Sequence, residues 1–203
     1  MAQEILDGTG NGKRAGVDVD HRLLVNSVSR TQDEQAALLG LAYNLSTGTV
    51  NLTTDGASCV AYIEYTDGHP FVVKEIIIIP SESTGGVGNA SMQILRNPTA
   101  GTIVTNAVPF TAVNNRDFSS SNDLNDDANI FKGVEGDTLT GGSTFAFTTR
   151  DNFEIPITFD AANIVLRKGN SLGVCITPPT GNTAQSWVVA IVGFIETATI
   201  TEN

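Results

Sequence analysis

Residues 185–197 read QSWVVAIVGFIET, and residues 75–79 read EIIII. A strand of a β-sandwich with one wet face alternates apolar and polar side chains. The runs 187–195 and 75–79 are instead apolar on both faces. Their outer faces therefore need cover, because a bare strand of this kind templates aggregation. An intramolecular loop or another subunit would serve. Oligomer interfaces are more apolar than free surface, which favours a subunit. Ile77, Val189, Ile191 and Phe194 are the residues expected to mediate self-association.

Outward from these runs the texture is β. Strand candidates fall at 43–45, 50–52, 58–65, 71–79, 91–96, 102–105, 108–113, 130–132, 144–148, 154–159, 163–167, 171–177 and 185–197. Turn residues punctuate them: Asp67-Gly68, Thr84-Gly85-Gly86, Gly141-Gly142, Lys168-Gly169-Asn170 and Pro178-Pro179-Thr180-Gly181-Asn182. Ser46-Thr47-Gly48-Thr49 reads as a hairpin turn between 43–45 and 50–52. Many short strands at near-regular spacing define an all-β chain, an antiparallel sandwich of jelly-roll type. One short helix is expected after Thr31-Gln32-Asp33-Glu34, which fits a capping box, with Gly40 as its stop. A strand over 36–45 competes with it. Residues 1–22 carry Gly8, Gly10, Gly12 and Gly16 and show no helical or strand period. An extended N-terminal arm over 1–30 and a sandwich domain over 31–203 follow.

Bulk properties narrow the function. The chain has 203 residues, 40% of them hydrophobic, enough for a real core. Its formal net charge is −11, from 22 acidic and 11 basic residues. Such a chain repels phosphate, so neither nucleic acid nor an anionic membrane is an expected partner. No apolar leader opens the sequence, and 187–195 is far below the roughly 20 residues of a membrane helix. Synthesis in a cytoplasm is expected, and the N-x-S/T triplets at Asn44, Asn51 and Asn89 read as chance matches. Cys59 and Cys175 each sit in an apolar run, and no CxxC is present. They read as two buried thiols.

Candidate chemistry fails on named residues. Gly8-Thr9-Gly10-Asn11-Gly12-Lys13-Arg14 imitates a phosphate loop, but Asp7 and Arg14 occupy the positions that need glycine and a hydroxyl. Asp117, Asp123, Asp126 and Asp127 lie in the polar stretch 114–129, without the spacing of a calcium loop. His21 and His69 belong to no zinc cluster. No G-x-S-x-G elbow exists. Glu64 and Glu75, on neighbouring strand candidates, could pair as glycosidase carboxylates but read better as solvent-facing charges. Tyr43, Tyr62, Tyr65 and Phe118 are the possible platforms for a glycan. The expectation is a non-enzymatic protein with no catalytic residues, no metal and no cofactor.

Two end segments carry a resemblance. Ile5-Leu6-Asp7-Gly8-Thr9-Gly10, Ala15-Gly16-Val17-Asp18 and His21-Arg22-Leu23-Leu24-Val25 form the first. Leu166-Arg167-Lys168-Gly169-Asn170-Ser171-Leu172-Gly173-Val174 and Thr177-Pro178-Pro179-Thr180-Gly181-Asn182 form the second. Together they resemble tailed-bacteriophage virion structural proteins, of the jelly-roll capsid decoration (cement) and head-spike kind. Residues 40–160 match nothing. The resemblance implies a homotrimer on the capsid surface, bound to the major capsid protein through Ile5, Leu6, Arg14, Val17 and Arg22. A receptor- or glycan-binding module of a spike or tail fibre is the alternative.

Overall fold

The computed structural model describes residues 5–6, 14–17, 23–24, 31–81, 83–105, 108–109, 112–114, 117–151 and 156–196. The chain divides into two compact units, Met1–Thr31 and Gln32–Asn203. In the first, β1 (Ile5–Leu6), β2 (Arg14–Val17) and β3 (Leu23–Leu24) pair antiparallel in the order β1-β2-β3. Ile5 faces Ala15, Leu6 faces Arg14, and Val17 faces Leu23. The sequence shows no period here because strands of two and four residues are held by backbone pairing and are too short to display alternation.

The second unit begins with α1 (Gln32–Leu38), β4 (Ala42–Ser46), β5 (Val50–Leu52), β6 (Ser58–Tyr65), β7 (Phe71–Pro80) and β8 (Asn89–Arg96). It continues with α2 (Thr102–Thr105), β9 (Val108–Pro109), β10 (Ala112–Asn114), a 3-10 turn (Leu124–Asp126) and β11 (Ala128–Lys132). It ends with β12 (Ser143–Asp151), β13 (Ile157–Leu166), β14 (Ser171–Thr177) and β15 (Gln185–Ile195). One sheet runs β10-β4-β15-β7-β13, with β5 also on β15; the other runs β12-β8-β14-β6-β11-β9. Every pair is antiparallel, and the two sheets form a β-sandwich, as the strand spacing predicts. The pairing is nested. β8 pairs β12, β7 pairs β13, β6 pairs β14 and β4 pairs β15, so the long strands fold back about the 97–142 connection.

Alternation builds the core. β15 sends Trp187, Val189 and Ile191 inward, and β7 sends Ile76 and Ile78. Met92 and Ile94 of β8 and Leu172, Val174 and Ile176 of β14 meet them from the opposite sheet. Glycines sit where a turn needs a positive φ: Gly141 and Gly142 lead into β12 at +75° and +70°, and Gly169 joins β13 to β14 at +80°. A Cβ on Gly142 would lie 2.3 Å from the Arg96 carbonyl oxygen. The α1 helix stands where the capping pattern places it, followed by Gly40 at φ +70°.

Several expectations are corrected. Ser46–Thr49 is no hairpin turn. β4 and β5 lie in line along the same edge of β15, Ser46 opposite Ala190 and Val50 opposite Trp187. Between them Thr47 is buried, donates its N–H to the Val189 carbonyl and accepts the Val189 N–H on Oγ1. Its hydroxyl thus replaces a ladder carbonyl. Residues 102–105 form α2 rather than a strand, despite their β-branched side chains. The Thr102 hydroxyl donates to Asp137, and Ile103 is buried against the second sheet. Those tertiary contacts override local preference. The 108–113 candidate splits into β9 and β10, one in each sheet, and 163–167 joins 157–160 in one bulged strand, β13. Residues 154–155 of the 154–159 candidate lie outside the described residues.

The cysteines are the clearest correction. Cys59 and Cys175 stand opposite each other on β6 and β14 and form a disulfide. Their sequence separation of 116 hides the pairing, which only the sheet register creates. Closing a loop of that length restricts the unfolded chain, worth about 4–5 kcal/mol in the chain-entropy account. Cys59→Ser/Cys175→Ser is therefore expected to lower Tm by roughly 10–15 °C. Calorimetry with and without reductant checks this, and reductant should leave the variant unchanged.

Candidate interaction surface

The outer faces of the two sheets differ. On the second sheet, Cys59, Tyr62 and Cys175 are buried beneath Ile103 of α2, with Leu95, Val104, Phe131 and Leu139 packed around them. Tyr62 stacks on Phe131 at 6.1 Å. Asp137 fixes the covering segment by accepting from Thr102 Oγ1 on one oxygen and from the Val134 N–H on the other. The chain thus seals much of this face itself.

The first sheet is sealed at one end. Ala36 and Ala37 of α1 pack on Ala42, Val72 and Phe194. Gln32 donates to Glu196 at 3.1 Å, tying the helix start to the end of β15. Beyond the helix the outer row continues with side chains that face outward and stay partly exposed. Val188 stands opposite Ile79, Ala190 opposite Ile77, and Val192 opposite Glu75. Ile79 is 39% exposed, and Ile77, Val188, Ala190 and Val192 are half-buried. Asn44, Ser46 and Thr158 flank this apolar strip on the neighbouring strands.

The expected self-association residues separate on this geometry. Ile77 belongs to the outer strip. Val189 and Ile191 are 1% exposed and face the opposite sheet, so the chain itself covers them. Phe194 is on the outer face but lies under α1. The residues missed are Ile79, Val188, Ala190 and Val192. Period-two counting from Trp187 would have found the last three, since the largest side chain of a strand points to the core. Among the arm residues, Ile5 and Leu6 form β1, Arg14 and Val17 bound β2, and Arg22 lies outside the described residues.

The polar groups serve their own loops. Asp117 accepts from Ser119 N–H and hydroxyl, and Asp123 accepts from the Asn125 N–H at the start of the 3-10 turn. Among the described residues no three His, Cys, Asp or Glu side chains gather as metal ligands. Glu64 and Glu75 fall in opposite sheets, on β6 and β7. His69 contacts Asp67 in its turn, and His21 lies outside the described residues. Tyr43, Tyr62 and Tyr65 are buried, which removes them as flat platforms; Phe118 is 89% exposed. At one end of the sandwich, Asn182 donates to the Leu52 and Thr54 carbonyls and accepts from Ser83. Glu135 accepts from the N–H and hydroxyl groups of both Thr53 and Thr54. Among the described residues no helix is long and apolar enough to cross a membrane. No known protein family matches the chain, and no curated protein matches its sequence.

Two pH limits follow from the buried and bonded groups. The threonine hydroxyls beside Glu135 hold its carboxyl below the usual carboxylate range. A lowered folded-state value stabilises above the unfolded value and is lost as pH falls through the folded one. The 53–54 amides are therefore expected to lose protection, measured against the intrinsic exchange rate at the same pH, below about pH 4. In Glu135→Gln that acid dependence should disappear. Burial, followed by the charges of Asp127, Asp123 and Asp126, pushes Tyr43 up to about 12. A raised value stabilises below the unfolded value of about 10 and is lost as pH rises through the folded one. Alkaline unfolding should thus begin above about pH 10 and shift upward in Tyr43→Phe, as read by circular dichroism.

Proposed function

We propose that this chain is a non-enzymatic structural protein that works by packing against copies of itself, and that it decorates a phage capsid. The observation that carries the first half is the open part of the first sheet's outer face. Ile77, Ile79, Val188, Ala190 and Val192 form one apolar strip, while α1 covers Ala42, Val72 and Phe194 at one end of that face and α2 covers part of the second sheet. Evidently not every apolar face needs a partner here, since two of them are closed within the chain. A strip left open between polar flanks has the character of a subunit interface. The resemblance of the end segments implies a homotrimer, and a cyclic arrangement would close such a contact.

The capsid half rests on the resemblance of the end segments. The strand order supports its jelly-roll component. Numbered one to eight along the chain, β4, β6, β7, β8, β12, β13, β14 and β15 give sheets ordered 1-8-3-6 and 2-7-4-5. Two interleaved sheets of four nested pairs are what a jelly roll requires, a fold used by viral capsid proteins and by lectins. Fold alone does not choose between those uses. Burial of Tyr43, Tyr62 and Tyr65, three of the four candidate platform aromatics, favours the structural use over glycan recognition. In this reading the first unit, with Ile5, Leu6, Arg14, Val17 and Arg22, engages the major capsid protein at the virion surface.

Two measurements test the halves separately. Light scattering should give an oligomeric mass for the unaltered chain, and Ile77→Lys/Val188→Lys should lower it with the β spectrum retained. An unchanged mass would sink the outer-face contact. Deleting residues 1–22 should leave that mass intact yet abolish co-sedimentation with undecorated capsids. Full binding by the truncated protein would remove the arm from the mechanism.

A further inference from the structure

A different surface carries a second mode of association. The second sheet has two edge strands and the first has three, since β5 pairs with β15 alone. In the first sheet, β10 and β5 have three residues each, and β13 is broken by an irregularity between Asp160 and Ile164. In the second, β9 has two residues and ends in Pro109. Short strands, bulges, charges and proline are the usual means of blunting an edge. β12 differs. It has nine residues, STFAFTTRD, and among the described residues it pairs on one side, with β8. Its register with β8 shifts once, between Thr144 and Ala146, and then runs unbroken from Ala146 to Asp151, longer than either unbroken part of β13. From Ser143 to Thr149 it carries no charge, proline or glycine. Phe145 and Phe147 are 55% and 60% exposed, in a strand whose other described side chains are exposed or half-buried.

We infer that β12 is a docking edge for a second copy of this chain, pairing antiparallel with its counterpart about a two-fold axis. An open run of backbone N–H and C=O groups is satisfied by another strand. The occupant follows from charge. A basic partner would be met by an acidic edge, and this edge is neutral from Ser143 to Thr149. Two copies of a chain with formal charge −11 repel over most of their surfaces. A two-fold contact sets the same patch against itself, so a neutral segment is where such copies can meet. Cross-strand pairing of exposed phenylalanines with β-branched threonines then adds the side-chain contact that strand pairs favour. The contact joins the second sheets of two copies edge to edge. It is distinct from the outer strip of the first sheet, and it does not depend on capsid binding.

Hydrogen exchange read by mass spectrometry across a dilution series tests this, with light scattering beside it. Packing through Ile77 and Val188 covers side chains of strands whose amides are already bonded within the sheet. Edge pairing instead protects the outward amides of 146–151. Those amides are expected to exchange about tenfold faster at the lowest concentration than at the highest. Phe147→Lys/Thr149→Lys should show the fast rate at all concentrations, with a reduced mass. Val188→Lys, which alters only the outer strip, should keep the β12 protection. Exchange in β12 that ignores concentration overturns the proposal, as does an unchanged mass in the folded double variant; either result leaves the outer-strip reading intact. Should the double variant not fold, the dilution series on the unaltered chain decides alone.

Discussion

The sandwich depends on the pairing of β15. This strand lies between β4 and β7, extends along β5 as well, and fixes the register of all three. Its inward row, Trp187, Val189 and Ile191, fills the space between the sheets with fully buried side chains. Displacement by one residue would exchange that row for Val188, Ala190 and Val192 and leave the tryptophan in water. Core packing and register are therefore one constraint. Thr47 reinforces it where the β4–β5 edge bulges, because its hydroxyl holds the Val189 N–H that a regular ladder would pair with a carbonyl.

The same strand sets the functional asymmetry. Past the irregularity between Val192 and Gly193, Phe194 stands on the outer face beside Val72 and Ala42, and α1 covers all three. Before it, the outer row has no such helix. On the opposite sheet the disulfide, α2 and the segment around Leu139 form a lid over the outer face. The chain thus spends its two described helices on closing apolar faces. Among the described residues, one strip on β7 and β15 and the edge at β12 stay open. For a strongly acidic molecule these two features matter together, since contacts between copies are least opposed where charge is absent. The proposed face contact and edge contact, on separate sheets, would together build an extended or closed assembly.

Particular residues show how far a linear reading reaches. Alternation placed β6, β7, β8, β14 and β15 within a few residues, because side chains that cross an inter-sheet core repeat every second position. Thr31-Gln32-Asp33-Glu34 and Gly40 framed α1, since helix ends are local chemistry. Local signals misled at 46–49, where a glycine within a polar stretch served a bulge rather than a turn. They misled again at 102–105, where Asp137, more than thirty residues away, holds four β-branched residues in a helical turn. The two apolar runs are neighbouring strands of one sheet, and of the residues expected to self-associate Val189 and Ile191 face the core. An all-apolar run has no polar residue to mark which alternate set faces out.

The sequence by itself determined that the second unit is an antiparallel β-sandwich with one helix at its start and an acidic surface. Periodicity, turn residues and net charge are properties of neighbours along the chain, so they survive without coordinates. The tertiary structure decided which face of each apolar strand is covered, that Cys59 meets Cys175, and that β12 keeps the longest unbroken run of the described edge strands. Those outcomes depend on register between strands many residues apart. A shift of one residue there reverses every assignment while leaving the local sequence signals unchanged.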